Sequence, residues 1–585
     1  MLEARPFREI WMVDFEFLSE EGEHPIPICL VAWELRTKRQ IRLWRDEMGP
    51  SPPYDISRDS LFVSFSSTAE LSCHLALGWP LPERVLDLRI EFLQAINFTP
   101  RPPSNGNGEK KRSSLLHAMT YYGLDGVEAA EKELWRKTIL RGEPWTDTER
   151  EGILDYCESD VRAIHQLFPA MVRRDHVRLD HRLLPSLFRG RYMRAVTRME
   201  FTGVPIDLER FDHLKDQWDA LERQLIETLG KAYGVYDEEG SFSQKRFARY
   251  LNARGWGWPA LESGRLDLKD KIFKQMARVH PELEPLRQLK YCREKLKLHE
   301  LAVGRDGFNR CWLNPFGSRT SRNQPSNSRF IFGPAVWLRD YLIQPKPGWG
   351  IAYLDWGGQE FGIAAALSND PAMREAYESG DIYLTFGKQA GVLPAWATIQ
   401  THGQQRDLFK VCVLATQYGQ KYRSLAEQID QPDIVARGLL EHHHRIYARF
   451  WDWSNNRVNR YLLYNEQQTV FGWRLRFRGH PKINSVRNFD MQANGAEMLR
   501  LACCRGTEAG ISICAPVHDA ILMMAPLDRL DEDVARMRAH MEEASRVVLR
   551  GFRLRSDQHV FRYPERYSDP QGRGQFMLEM VLKLL

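Results

Sequence analysis

An apolar run that ends on a carboxylate and breaks at two glycines constrains this chain more than any other stretch: Ala352-Tyr353-Leu354-Asp355-Trp356-Gly357-Gly358-Gln359-Glu360-Phe361. The approach through Ile351, Tyr353 and Leu354 predicts a strand, the glycines predict a sharp turn, and Glu360 follows as a second acid. Such a strand delivers one Asp to the edge of a cleft. A turn-forming Asp at a strand end reads the same way, so the remaining chain must supply partners before Asp355 acquires a chemical role.

At 585 residues the chain exceeds what one core supports and predicts two to four domains. Its 43% hydrophobic and 27% charged residues, without an apolar run of membrane-spanning length, point away from a membrane partner. Glu3, Arg5, Arg8 and Glu9 stand where a signal peptide would need an apolar core. Nine scattered cysteines with no CxxC pair argue against a disulfide frame or a zinc knuckle and fit a reducing, cytoplasmic compartment. The net charge of +5 is unevenly placed: Arg310, Arg319, Arg322, Arg329, Arg339 and Lys346 face a single acid, Asp340, in their stretch, which suits a polyanion partner.

The N-terminal part alternates strand-like runs (Ile10 to Phe17, Ile28 to Leu35, Ile41 to Trp44, Leu61 to Phe65) with turns and then helical patterns, predicting an α/β module. Asp14 and Glu16, two apart on a strand, point to one face, and two like charges there are costly unless a cation lies between them. Ser66 to Leu71 opens a helix that carries Glu70. Thr146-Asp147-Thr148-Glu149 is a capping box for a helix that presents Tyr156 and Asp160, four apart, on one face. Asp87 is read as a cap. The turn-rich basic stretch 100–114 is expected to be a mobile loop near nucleic acid.

Four acids and a tyrosine in this order resemble the DEDD 3′→5′ exonucleases in their tyrosine variant. The resemblance implies that Asp14, Glu16, Glu70 and Asp160 hold two divalent metals and that Tyr156 orients the attacking water. Glu70 is a departure, since the family usually has Asp there.

Met199 to Asp207 reads as a hinge, followed by long charged helical patterns from Leu208 to Ala232 and from Leu283 to Leu301. Gly317 to Pro325 is an arginine-bearing loop suited to phosphate or minor-groove contacts. Arg406, Lys410, Leu414 and Tyr418 recur every four residues and form one helix ridge, with two cations, an apolar group and an aromatic ring in line before Gly419. That order fits a triphosphate carrying a base. Asn488 and Gln492 begin a polar-faced helix. In Ala515 to Met523 a hydrophobic run is interrupted by His518 and Asp519; burying an unpaired carboxylate there is expensive unless a strand or hairpin turn carries Asp519 to a metal beside Asp355.

Together these residues resemble a family A DNA polymerase, of the Klenow or phage type, over nearly the whole chain. The resemblance implies an α/β multidomain fold: a ribonuclease-H-like exonuclease domain (1–185), palm entry and helical thumb (186–310), first palm part (311–365), fingers (366–483) and second palm part (484–585). It implies Mg²⁺, two ions per active site with Mn²⁺ as substitute, held in the palm by Asp355 and Asp519. Arg406 and Lys410 would bind the incoming phosphates, Lys410 also protonating the leaving group. Leu414 and Tyr418 would shape the base-pair pocket, and Glu360 would fill the space of a ribose 2′-hydroxyl. Arg319, Asn488, Gln492 and His518 would contact DNA near the primer end. Tyr383, Leu414, Gly358 and Ala520 depart from the family's usual His, aromatic, Gln and acid.

The partners implied are primer-template DNA and dNTPs, acting on a monomer in the cytoplasm, at the nucleoid. No 5′-nuclease region is expected ahead of the exonuclease. Two alternatives stand: a single-subunit RNA polymerase, and a DNA-binding protein with an inactive palm.

Overall fold

The computed structural model describes residues 7–97, 113–124, 129–173, 183–295, 298–477, 479 and 481–585. Residues 100–112 of the expected basic loop lie outside these. Among the described residues no helix is long and apolar enough to cross a membrane.

The N-terminal part is built on a five-stranded sheet of β1 (Glu9–Leu18), β2 (Ile26–Glu34), β3 (Gln40–Trp44), β4 (Ser60–Ser64) and β5 (Val85–Asp87), in the order β3-β2-β1-β4-β5. β1 runs antiparallel to β2 and parallel to β4, and is covered on both faces, which is why Trp11, Met12 and Val13 form an unbroken buried run. The helix Asp147–Arg173 packs across β1 and β2. The capping box expected at its start is present, with the Thr146 N–H donating to Glu149 Oε2 (2.9 Å) and the Glu149 N–H to Thr146 Oγ1 (3.2 Å).

The second half centres on a four-stranded antiparallel sheet. Its order is Ser512–Val517, Ala520–Pro526, Trp349–Trp356, Ser556–Arg562, so the Asp355 strand lies inside the sheet between two partners. Register places Ala520, Asp355 and Asp557 on one rung. Helices from Gln359–Ser368 to Ala448–Tyr464 follow the strand, and Ile483–Glu508 returns the chain to the sheet.

Three helical expectations shift. The pattern from Leu208 to Ala232 is α-helical only to Leu225 and then widens into a π turn at Ile226–Gly230. The Leu283–Leu301 pattern is a helix over Glu284–Lys295 followed by a short 3-10 turn at Leu298–Glu300. The helix expected to begin at Asn488 starts at Ile483, so Asn488 lies in its second turn.

Most of the basic run is engaged within the fold. Arg310 is paired with Asp306, Arg322 with Glu360 and Arg329 with Glu21, while Arg339 is buried and donates to the Phe332 carbonyl. The Lys346 ammonium donates to the Asp306 carbonyl. These cations hold the chain's own loops together, a use that local charge counting cannot distinguish from a polyanion surface.

Candidate active sites

In the N-terminal sheet, Asp14 and Glu16 project from β1 to the face covered by the helix Asp147–Arg173, and Asp160 meets them: one ligand atom from each lies within 4.8 Å of the others. Cys157, one helical turn before Asp160, donates its Sγ–H to Asp14 Oδ2 (3.4 Å). Tyr156 is partly buried beside these acids; burial, then the charges of Glu16, Asp160 and Asp14, push its phenol well above the usual range, so it stays a neutral donor.

Glu70 does not join the three. It is 3% exposed, one of its carboxylate oxygens has no protein partner, and burial followed by the charge of Asp14 raises its proton affinity strongly. A buried carboxylate with one unpartnered oxygen next to an acid trio is chemically suited to a cation, which would remove both penalties. Asp87 is a cap: its carboxylate accepts from the Ile90 and Ser67 N–H groups and the Ser67 hydroxyl.

In the central sheet the Asp355 strand ends at Trp356, and Gly358 turns the chain with φ +62° into the helix Gln359–Ser368. The positive φ is what favours glycine here, since a β-carbon would meet only the movable end of the Ile382 side chain, Cδ1 at 2.5 Å. His518 and Asp519 form the two-residue turn between Val517 and Ala520, with His518 at φ +58° in the left-handed region, a sparsely populated conformation for a residue with a side chain. His518 is exposed and Asp519 half-buried.

Burial, then the charges of Asp519 and Asp557, push the Asp355 carboxyl up to about 7. Asp355 Oδ1 is buried without a protein partner. These acids therefore fit a divalent cation as the missing partner. Asp557 escaped the sequence reading: it is exposed, separated from Asp355 by 202 positions (557 minus 355), and only strand pairing puts it on the same rung.

The cationic ridge lies on the helix Ile399–Gln417. Lys410 is exposed, Leu414 and Tyr418 are half-buried, and Tyr418 is the last residue before Gly419 turns at φ +77°. Arg406 donates to Asp381 Oδ2 (2.5 Å) and lies over the ring of Tyr383, which is 8% exposed. The C-terminal end of the ridge is tied to the Asp355 turn, since Gln417 Nε2 donates to the Glu360 carbonyl (3.0 Å).

Arg319 stacks on Phe477, and its carbonyl accepts from Trp473 and Asn97. Asn488 and Gln492 are half-buried, four apart on one helix, with Asn488 Oδ1 lacking a protein partner.

A cleft of about 1480 Å³ runs between the two halves, lined by Phe17, Thr68 and Ala69 on the N-terminal side and by Arg322, Arg500 and His518 on the other.

Comparison with known proteins places these features in context. The sequence model of DNA polymerase family A matches residues 332–556, from just before the Asp355 strand through to the strand that carries Asp557. The chain is 23% identical over 378 residues to the thermostable DNA polymerase I of Thermus thermophilus, covering 60% of this chain and 44% of that protein. It is 23% identical over 363 residues to the DNA polymerase of Mycobacterium phage D29 (59% and 58% covered) and 26% identical over 366 residues to that of phage L5 (60% and 58%). The chain thus spans about half the length of these relatives. A solved structure, the POL domain of Pol1 from M. smegmatis in complex with DNA primer-template and dNTP, superposes with a TM-score of 0.70 over 94% of both chains at 16% identity, a likeness of fold.

Proposed function

Starting from a chain whose residues 332–556 form a family A DNA polymerase domain, we propose that it extends a primer 3′ end with dNTPs on a DNA template. The observation that carries the reading is the Asp355–Asp519 pair at the strand and hairpin turn, with Asp355 Oδ1 buried and unpartnered, on a turn fastened to the end of a cationic ridge.

Divalent cations bound there would activate the primer hydroxyl and neutralise the departing pyrophosphate. Asp355 and Asp519 would hold them. Lys410, exposed on the ridge, would bind the triphosphate and donate a proton to the leaving group, and Arg406, braced by Asp381, would hold a neighbouring phosphate. Leu414 and Tyr418 would supply the apolar floor and ring against the nascent base pair. Glu360 would exclude a ribose 2′-hydroxyl, and Arg319, Asn488, Gln492 and His518 would contact the primer terminus.

The N-terminal trio supports a second activity, 3′→5′ removal of primer-end nucleotides, with Asp14, Glu16 and Asp160 as metal ligands, Glu70 as a fourth and Tyr156 orienting water.

Template-directed extension of a labelled primer with dNTPs and Mg²⁺ tests the main reading. The wild type should extend, and Asp355→Ala should lose extension by about a hundred- to a thousandfold, the scale of one removed transition-state-stabilising group, while still retaining DNA in a gel shift. Extension unaffected by Asp355→Ala, or efficient unprimed use of rNTPs, would refute it.

A further inference from the structure

We propose that Arg322 is a specificity-determining positioning residue: it pins the Glu360 carboxylate and thereby sets how strictly the polymerase site distinguishes deoxyribose from ribose. The inference rests on the reading of Glu360 as the residue that fills the space of a 2′-hydroxyl.

Arg322 Nη2 donates to Glu360 Oε1 at 3.1 Å, joining the arginine-bearing loop to the first turn of the helix that follows Asp355. The pair is half-buried, with side chains 35% and 22% exposed, so water screens it less than a surface ion pair.

Both ends of the bridge are fixed. On the Glu360 side, the carbonyl is held by Gln417, itself fully buried, at the end of the cationic ridge. On the Arg322 side, the backbone N–H donates to Ser318 Oγ (2.8 Å), and the preceding Ser321, fully buried at φ +61°, is gripped by Arg500 through its carbonyl (2.7 Å) and hydroxyl (2.9 Å). Arg500 is 1% exposed and ion-paired with Glu497. The loop therefore presents the Arg322 guanidinium at one place, fixed by buried partners on both sides.

A glutamate has three side-chain torsions, and an untethered one rotates away from an intruding hydroxyl at little cost. A carboxylate tethered by a charge-assisted hydrogen bond does not. Arg322 also works against burial and the nearby charge of Asp519, which together leave the Glu360 carboxyl above its ordinary value. The tether holds Glu360 in place, and an incoming ribose meets a fixed obstacle. A direct role of Arg322 in binding the DNA backbone is the competing use of the same guanidinium, and the two predict different readouts.

The test is single-nucleotide insertion by the full chain on a matched primer-template, comparing kcat/KM for a dNTP and the corresponding rNTP. The series is wild type, Arg322→Ala, Arg322→Lys, Glu360→Ala and Glu360→Ala with Arg322→Ala, each checked for a native thermal transition. The expected result is that Arg322→Ala lowers the dNTP/rNTP preference about tenfold, an energy of about 1.4 kcal/mol, through easier rNTP use. Arg322→Lys should fall between, and Arg322→Ala should add nothing in the Glu360→Ala background. Unchanged preference in Arg322→Ala and Arg322→Lys, or an equal loss with and without Glu360, would overturn the inference, as would weakened DNA binding as the only effect. Failure of the wild type to insert a dNTP would instead refute the polymerase reading beneath it.

Discussion

Asp340 and Asp355 are both carboxyls that their surroundings hold near neutrality, and they do so for different ends. Asp340 is 7% exposed under the central sheet, accepts the Asp569 N–H at 3.0 Å and lies beside the Asp569 charge; burial pushes it up to about 7 from an ordinary value of 3.8. The folded protein therefore keeps this proton while the unfolded chain releases it, so stability from the neutral form is present below about pH 4 and declines as pH rises to about 7. Asp340→Asn, which cannot ionise, should match the wild type in melting temperature near pH 4 and exceed it by a widening margin up to pH 7, with no further change above. A pH-independent difference would contradict this.

At Asp355 the same proton affinity would compete with a bound cation. In a background lacking Asp14 and Glu16, Mn²⁺ uptake measured calorimetrically should rise with pH through about 7, and Asp557→Asn should move that rise to lower pH by removing one of the charges that favour the proton. Asp557 shows where sequence reading stops, since an exposed strand residue announces its neighbour across a sheet only after the register is known.

Among the elements, those with local signals were legible and those held by distant partners were not. The alternation that carries Asp14 and Glu16, the Thr146–Glu149 box and the Gly357-Gly358 break are each decided within a few residues, and the structure forms them as expected. The Gly317–Pro325 loop lacks such a signal. Its shape comes from Arg500, which reaches it across 179 positions. Removing Arg500 strands Glu497 in the interior, since that acid keeps only the Thr469 hydroxyl. Arg500→Ala should cost about 3–5 kcal/mol in urea unfolding, and Glu497→Gln with Arg500→Met clearly less, because a removed pair leaves no buried charge behind. Equal losses would show that packing, rather than charge, is what the loop requires. The cations between Arg310 and Lys346 teach a related lesson: their charge was visible, but not that they are engaged within the chain.

At the scale of the whole molecule, two acidic centres lie on two separate sheets, the N-terminal one formed by Asp14, Glu16 and Asp160, and the central one by Asp355 and Asp519. The separation predicts independent loss: Asp14→Ala with Glu16→Ala should abolish 3′ trimming and leave extension, and Asp355→Ala should do the reverse. The measurement that tests the account most directly offers a matched and a mismatched primer with dNTPs and Mg²⁺ to the wild type and these two variants. The account predicts that the wild type extends both, trimming the mismatched end first, that the Asp14/Glu16 variant extends the matched primer but stalls on the mismatched one, and that the Asp355 variant shortens both without extending either. Extension by the Asp355 variant at the wild-type rate would contradict it.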